Sequence, residues 1–270
     1  MNKAYIQIIQ SQRVDRDQRV RANPVNWLSL IGLFPLKEGE NCFGGTPDAQ
    51  IVLPTETSGM LLLRKSQISL IPMVGTDLRV NDVLSTNSSL LQTDLNGPAD
   101  RIETGSLVMS VIQRGERLYL RVWDKESAVL KSFNGFHYFP IRPEYCLQAQ
   151  FERFDPPRIL TTLDVIGTEN RTTFAGMAHF TLDGCDCTLI AEDNEGELLF
   201  SFTDETRHDS TYPGGRKLST AKPIGNVLTL DFNQTTNWPC AYTPFATCPL
   251  PPPENRLSVR IEAGEKRYHD

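Results

Sequence analysis

The chain has 270 residues, of which 39% are hydrophobic and 22% charged, so it can bury a sizeable core as one large domain or two small ones, and we favour two. Its formal net charge of −6 is spread without long runs of one sign, so nothing indicates the basic surface typical of nucleic-acid-binding proteins, and we predict no nucleic-acid partner. The sequence contains no nucleophile elbow, phosphate loop or dinucleotide fingerprint, and therefore names neither a reaction nor a cofactor.

Residues 1–26 are predicted to contain a short surface helix. Apolar residues such as Ile6, Ile9 and Val20 recur at loose helical spacing among charged residues, and Pro24 ends the pattern. The segment lacks the apolar stretch of a signal peptide or a membrane span, so we expect a cytoplasmic protein that does not contact membranes. In that reducing compartment the six cysteines are expected to remain free thiols.

Residues 27–125 predict an antiparallel β-sandwich. The chain here consists of short apolar runs separated by turn signals, and no run suits a helix of any length. The clearest hairpin joins SLVMSVI to RLYLRVW through the turn QRGE, which begins at Gln113.

The order of features in this sandwich resembles a forkhead-associated domain, with a glycine turn, a D-x-x-I-V-L strand, a V-N turn and two strands after a Gly-Ser. Such domains read phosphothreonine through an arginine and a serine on loops. Here Gly45 stands where the arginine is expected, and the stretch from Ser58 lacks the histidine of the typical serine loop. The resemblance therefore implies a degenerate scaffold or interaction surface.

Residues 126–144 are the predicted linker between the two domains. Their sequence mixes polar and aromatic side chains. His137 lies between two aromatic residues and is expected to be packed and hydrogen-bonded rather than to act as a ligand.

Residues 145–270 predict a second antiparallel domain. Strand-like runs are joined by the hairpin signals Asp183-Gly184 and Asn194-Glu195-Gly196. Because an open sheet leaves exposed edges, we expect five or six such strands to curl into a barrel-like domain whose mouth could hold one ligand. The fold class is therefore all-β with an N-terminal helix.

The stretch from Asp231 to Lys266 is the most unusual part of the chain. It follows a strand-like run and contains six prolines between positions 239 and 253, each of which removes a backbone donor, so it must be irregular. The alternation of Leu257, Val259 and Ile261 then predicts a closing strand. We expect an ordered wrap over the barrel mouth or the domain junction.

Three motifs of this stretch, DFN, PCAYTPFATCPLPPPENRL and I-x-A-G-E-K, resemble the closing signature of a mostly bacterial family catalogued as domain of unknown function 1684. The resemblance continues upstream in WLSLIGLFPLKEGENCFGG, FSFTD and TYPGGRKL, so that it covers nearly the whole chain. The family has no established activity, and the resemblance implies kinship without a reaction. Ser210 stands where the family usually has glutamate, which argues against acid or base catalysis at that position.

The segment FTDETRHDSTYPGGRKL carries the densest polar chemistry, with Tyr212 before and Arg216 after a Pro-Gly-Gly turn. A guanidinium beside a glycine turn is well placed to bind a carboxylate or a phosphate. The glycine backbone can approach the anion closely, and the planar guanidinium can donate two parallel hydrogen bonds to it. An equally weighted structural alternative is that Arg216 forms a buried ion pair with Asp231 or Glu254.

Binding of a small anionic or polar metabolite in the C-terminal domain, with or without turnover, is the favoured function. The expected contacts are Tyr212, Arg216, Asn233 and Tyr242, supported by Asp231, Glu254 and Asn255. The alternative is a non-catalytic module whose N-terminal sandwich binds another protein.

The two thiols of the closing segment, Cys240 and Cys248, allow two further chemical roles. Cys240 or Cys248 could act as a nucleophile if a base such as His179 or His208 lies within hydrogen-bond reach. Their spacing is unusual for zinc and no histidine is near them, so no metal site is predicted. Packing as small hydrophobic residues is the plainer role for both.

Acid–base chemistry by carboxylates is a further possibility that the sequence leaves open. Asp204, Asp231 or Glu254 could act with Tyr212 as a proton donor. Such a set would suit hydrolysis or isomerisation of a small polar substrate, and its pattern is unspecific.

Overall fold

The computed structural model describes residues 2–269, which group into two units. Unit 1 comprises the chain up to Arg19 together with the chain from Asn134 onward, and unit 2 comprises Val20–Phe133.

Helix α1 (Asn2–Ala22) confirms the predicted N-terminal helix and ends two residues before Pro24. Tyr5, Ile9, Arg13 and Arg16 follow one another at intervals of three or four residues, so they lie on one stripe of the helix. Ile9 is buried, and the three polar side chains of the stripe bond to the rest of unit 1. No helix within residues 2–269 combines the length and the apolar content needed to cross a bilayer.

Unit 2 contains a six-stranded and a five-stranded sheet with orders β1-β11-β10-β9-β6-β7 and β3-β2-β4-β5-β8. Buried side chains from strands of both sheets form one hydrophobic cluster, as a sandwich requires. The predicted hairpin at Gln113 is confirmed by the antiparallel pairing of β10 with β11. The forkhead-associated resemblance of this unit stays a prediction. The strands are β1 (Leu30–Pro35), β2 (Gly39–Gly44), β3 (Ile51–Val52), β4 (Gly59–Arg64), β5 (Gln67–Pro72), β6 (Arg79–Val80), β7 (Val83–Leu84), β8 (Ser89–Leu91), β9 (Ile102–Thr104), β10 (Leu107–Arg114) and β11 (Arg117–Asp124), followed by helix α2 (Ala128–Lys131).

Unit 1 is built on a seven-stranded antiparallel sheet of order β17-β12-β13-β14-β15-β16-β18. The all-β class is confirmed, but no sheet of the described chain closes into a barrel, so the expected closure is wrong. Its strands are β12 (Cys146–Leu163), β13 (Glu169–Leu182), β14 (Cys185–Asn194), β15 (Glu197–Phe202), β16 (Arg216–Ala221), β17 (Val227–Asp231) and β18 (Thr236–Asn237).

Both hairpin signals of unit 1 are confirmed. Asp183-Gly184 joins β13 to β14, and Glu195-Gly196 joins β14 to β15, with positive φ at all four residues as type I′ turns require. Two adjacent prolines lie within the single strand β12. Its pairing with β13 jumps between Arg153 and Arg158, so an irregularity of register accommodates Pro156 and Pro157.

Candidate functional site

The closing segment, residues 231–266, packs its apolar side chains against the sheet of unit 1. Leu257, Val259, Ile261 and Ala263 are buried in the same cluster as the strand residues, as their alternation predicted. The expected closing strand is wrong, however, because these residues are not assigned to a strand. The Val259 carbonyl accepts from the Glu205 backbone N–H, whereas the carbonyls of Ile261 and Ala263 accept from a side chain.

Arg216, at the start of β16, is that side chain. It is 1% exposed, and its guanidinium donates to the carbonyls of Ile261 (2.9 Å), Ala263 (2.6 Å) and Glu265 (3.3 Å). Its carboxylate partner is Asp204, at 2.7 Å. The ion pair predicted with Asp231 or Glu254 is therefore wrong in its partner.

Asp204 completes this connection from its other oxygen, Oδ1. This oxygen accepts hydrogen bonds from the backbone and hydroxyl of Thr206 and from the Ile261 backbone N–H, at 2.9, 2.6 and 3.1 Å. Arg216 and Asp204 together bind the Ile261 N–H and the carbonyls of Ile261, Ala263 and Glu265. The arrangement explains why this pair lies inside the fold rather than at a surface.

Asn255 performs a similar task between β14 and β15. These strands pair only between Glu192–Asn194 and Glu197–Leu199, which leaves the backbone groups beyond them without a ladder. The Asn255 amide accepts from the Ile190 N–H (2.7 Å) and donates to the carbonyls of Ile190 (2.9 Å) and Ser201 (2.8 Å). Glu254, which was predicted to support the ligand contacts together with Asn255, has an exposed side chain.

Asp231 and Asn233 bind the first helix rather than a cavity with Tyr212. The Tyr5 hydroxyl donates to Asp231 at 2.7 Å, and the Asn233 amide donates to the Tyr5 oxygen and to the Arg142 carbonyl at 3.0 and 2.8 Å. Burial, and then the bond to Asp231, raise the pKa of Tyr5. Asn233 also lines a separate cavity of about 360 Å³ beside α1.

Glu265, of the I-x-A-G-E-K motif, is 1% exposed and anchors α1 by charge. Its carboxylate lies 3.0 Å from Arg16 and accepts from the Tyr242 hydroxyl at 2.7 Å and from the Asn237 backbone at 2.9 Å. Arg16 also donates to the Tyr138 hydroxyl at 2.7 Å. Burial and the negative charge of Glu265 raise the pKa of Tyr242 well above its ordinary value.

An open cavity of about 480 Å³ adjoins the Glu265 network at Tyr242. It is where two of the four expected ligand contacts, Tyr212 and Tyr242, come together with Cys240. The full lining is Tyr212, Pro213, Cys240, Ala241, Tyr242, Thr243, Pro244, Arg267, Tyr268 and His269. The other two expected contacts, Arg216 and Asn233, do not line it.

Arg267 is the charged residue of this cavity that sequence analysis missed. Within residues 2–269 it forms no ion pair; the nearby Asp209 is instead paired with Arg260 at 2.9 Å. Arg260 first, and Arg267 at longer range, lower the pKa of Asp209 to about 2. Arg267 also lines a neighbouring cavity of about 460 Å³ that includes Lys266 and the exposed His137, which was expected to be packed.

Aromatic rings form the wall behind Arg267. Tyr268 makes an edge contact with Tyr242, with centroids 5.3 Å apart, and Phe136 contacts both rings at 5.1 and 6.0 Å. Such tilted and edge-to-face contacts fix ring orientation, and Tyr242 and Tyr268 give the cavity an apolar side. The His269 ring lies 4.7 Å from Tyr268, and its Nε2 is 3.3 Å from the Tyr242 carbonyl.

Cys240 and Cys248 lie together beside the cavity. The Cys240 backbone N–H donates to the Cys248 sulfur at 3.1 Å, and Cys248 is buried while Cys240 is half-buried. Hydrogen bonding from Cys248, and further from the Tyr212 hydroxyl, lowers the pKa of Cys240 to about 7 against the opposing effect of burial. The same interaction raises the pKa of Cys248.

The histidines and carboxylates that were predicted to act with Cys240 or Tyr212 lie away from the cavity. His179 and His208 pair with Glu152 and Glu205, and neither lines the cavity of Cys240; His269 does. The carboxylates considered with Tyr212, namely Asp204, Asp231 and Glu254, do not line its cavity. Within residues 2–269 there is no group of three or more His, Cys, Asp or Glu residues that could hold a metal ion.

A family model described as "Protein of unknown function (DUF1684)" matches residues 131–266. A solution NMR structure of an uncharacterized protein from Haloarcula marismortui is 30% identical, with 51% of this chain and 79% of that chain covered and a TM-score of 0.44. None of the curated proteins matches this chain. The family match contains the closing segment and the TYPGGR turn, whereas the upstream stretch from Trp27 lies outside it. On that match, which spans half of the sequence, the chain belongs to the DUF1684 family of proteins of unknown function.

Proposed function

We propose that the cavity lined by Tyr212, Cys240 and Arg267 binds a small anionic metabolite. The observation that supports this most is the Arg267 guanidinium, which has no carboxylate partner within residues 2–269 and opens onto a cavity of about 480 Å³. Cavities of roughly 300–1,000 Å³ are typical for small ligands. An arginine at such a wall binds carboxylates and phosphates through its planar fork.

The neighbouring side chains fit the same ligand class. Tyr212 can donate or accept a hydrogen bond with its hydroxyl, and His269 adds a second nitrogen-bearing group near Arg267. Tyr268 offers an apolar face for the body of the ligand. Of the contacts expected from the sequence, Tyr212 and Tyr242 remain in the proposal.

Arg216 and Asn233 take a supporting part in the proposal. Arg216 is occupied by three carbonyls and Asp204, so a ligand would have to displace an internal ion pair to reach it. Asn233 holds α1 through Tyr5. Both residues stabilise the unit that carries the cavity.

Exposed apolar side chains on the sandwich do not favour the protein-binding alternative. Val52, Val83 and Leu90 are exposed, but they lie on strands of both sheets of unit 2. Single exposed apolar residues are ordinary on protein surfaces. We therefore develop only the metabolite proposal.

Native mass spectrometry of the full chain, purified without chelators, is the first test of this proposal. A retained mass that is lost on denaturation identifies a ligand directly. Thermal shifts are then measured with inorganic phosphate, citrate and acetate as probes. We expect at least one of the multivalent anions to raise the melting temperature, since a ligand that binds the native state stabilises it.

Arg267→Gln is the decisive variant, with Arg256→Gln as its matched control on an exposed arginine. Because a hydrogen bond to a charged group contributes about 1.5–3 kcal/mol, Arg267→Gln should weaken probe binding at least about tenfold. Arg256→Gln should bind the probes with the affinity of the wild-type protein. Equal binding by both variants, or a ligand-free mass together with no response to any probe, overturns the proposal.

A further inference from the structure

Cys240 and Cys248 lie next to each other at the wall of the cavity, and they differ in their exposure to solvent. Cys240 lines the cavity from the 3-10 turn Pro239–Ala241, whereas Cys248 is 4% exposed and lies behind it. Cys185, on β14, is exposed and stands apart from both. The arrangement places one sulfur where a small reagent can reach it and a second sulfur directly behind the first.

The distance between the two residues suits a bond between their sulfurs. The Cys248 sulfur lies 3.1 Å from the Cys240 backbone nitrogen. Since the N–Cα bond adds about 1.46 Å at most, that sulfur is within about 4.6 Å of the Cys240 Cα. The two thiols are also close enough to hydrogen-bond to each other, so side-chain rotation can bring the sulfurs together.

The two thiols also differ in their charge at neutral pH. Hydrogen bonds from Cys248 and Tyr212 lower the pKa of Cys240, which favours its thiolate relative to that of an ordinary cysteine. The pKa of Cys248 is raised, so it stays protonated. Redox-sensing pairs consist of a reactive cysteine that forms a thiolate and a resolving cysteine next to it. Cys240 fits the first role and Cys248 the second.

We propose that Cys240 is an oxidation site for small hydroperoxides and that Cys248 resolves it to an intramolecular disulfide. In the first step the Cys240 thiolate attacks the terminal peroxide oxygen, forming an S–O bond and breaking the O–O bond. The sulfur is oxidised to sulfenic acid by two electrons, and the alkoxide leaves and takes a proton to become the alcohol, or water in the case of hydrogen peroxide.

The second step uses only residues of this chain. The Cys248 thiol attacks the Cys240 sulfenic sulfur, the S–S bond forms, and the hydroxyl group leaves as water with the proton of Cys248. An external dithiol returns both cysteines to the reduced state by thiol–disulfide exchange. This proposal concerns the same cavity as the anion proposal but does not require that an anion bind there.

Alkylation of the full chain tests the reactivity of Cys240 against the exposed Cys185. The protein is treated with iodoacetamide over a pH series, and each labelled peptide is quantified by mass spectrometry. We expect Cys240 labelling to rise with a midpoint near pH 7, below the value of about 8.5 for an ordinary thiol. A Cys240 midpoint at or above the ordinary value overturns the proposal.

Peroxide treatment tests the second step. With one equivalent of hydrogen peroxide, the peptides that contain Cys240 and Cys248 should become joined with the loss of two hydrogen atoms, and a dithiol should release them. In Cys248→Ala the sulfenic acid should persist on Cys240 and be trapped by dimedone. In Cys240→Ala neither product should form.

Tyr212→Phe supplies a variant that keeps both sulfurs. Removal of its hydroxyl should move the alkylation midpoint of Cys240 upward, because one donor to the thiolate is lost. If the cysteine variants do not fold, the wild-type cross-link and this midpoint decide the question. A parent protein in which Cys185 is oxidised as fast as Cys240, or in which no link joins Cys240 to Cys248, contradicts the assignment.

Discussion

Two arginines of unit 1, Arg216 and Arg267, lie in contrasting surroundings. Arg216 is 1% exposed and donates to three backbone carbonyls and to Asp204. Arg267 lines two cavities and has no carboxylate partner within residues 2–269. The first arginine is committed to the fold, whereas we propose that the second binds a ligand, so residue type alone did not distinguish their roles.

Replacing Arg216 should give the largest effect. Arg216→Ala removes a buried cation and leaves Asp204 buried without its partner, which typically costs about 3–5 kcal/mol of unfolding free energy. Urea unfolding measures the change through the midpoint and the slope. Arg256→Ala, at an exposed arginine, should stay within about 0.5 kcal/mol of the parent. A loss below about 1 kcal/mol for Arg216→Ala, with binding of anionic probes abolished, would reverse the roles that we assign to the two arginines.

Asn255 tests whether other polar side chains of the closing segment act as Arg216 does. Asn255→Ala leaves the Ile190 N–H and two carbonyls without their partner, so we expect a loss of about 2–3 kcal/mol in the same assay. Asn226→Ala, at an exposed asparagine, should have little effect. Equal stability of the two variants would show that the backbone between β14 and β15 finds other partners.

The parts of this framework that were predictable from the sequence are the local ones. The helix that ends before Pro24 and the hairpins at Gln113 and Asp183 follow from patterns within a few residues, and all three are confirmed. The alternation from Leu257 predicted burial correctly but predicted a strand wrongly. Hydrophobic spacing reports which side chains are buried, and it does not show that the Arg216 side chain binds the carbonyls of Ile261 and Ala263.

The candidate site was predictable only in part because its wall comes from distant segments. Tyr212, Cys240 and Tyr242 lie in motifs that attracted attention, whereas Arg267 and His269 follow the last motif and carry no pattern of their own. The run Arg-Tyr-His directly after the closing motif was the available signal. The partner of Arg216 depends on tertiary packing, and Asp204 has no spacing that distinguishes it from Asp231.

Gly264 gives a more specific test of the framework, measured as the difference between two glycine variants. Its φ is +72°, and a Cβ atom would lie 2.7 Å from the backbone oxygens of Phe232 and Thr235. Gly225 has a φ of +65° but open space around it, so Gly225→Ala measures the backbone cost alone, about 1–2 kcal/mol. Gly264→Ala should cost about 1–2 kcal/mol more, because backbone oxygens cannot rotate away. Equal losses would mean that the closing segment shifts without cost.

Arg267 should give the smallest effect on stability, and that result sharpens the comparison most. Its side chain makes no ion pair within residues 2–269, so Arg267→Gln should change the unfolding free energy by no more than about 0.5 kcal/mol in urea. The same variant should lose the thermal shift given by multivalent anions. Arg216→Ala, by contrast, should lose stability while any molecules that remain folded keep their affinity for the anion. A loss of several kcal/mol in Arg267→Gln would place this arginine in the framework and remove the physical basis for a ligand there.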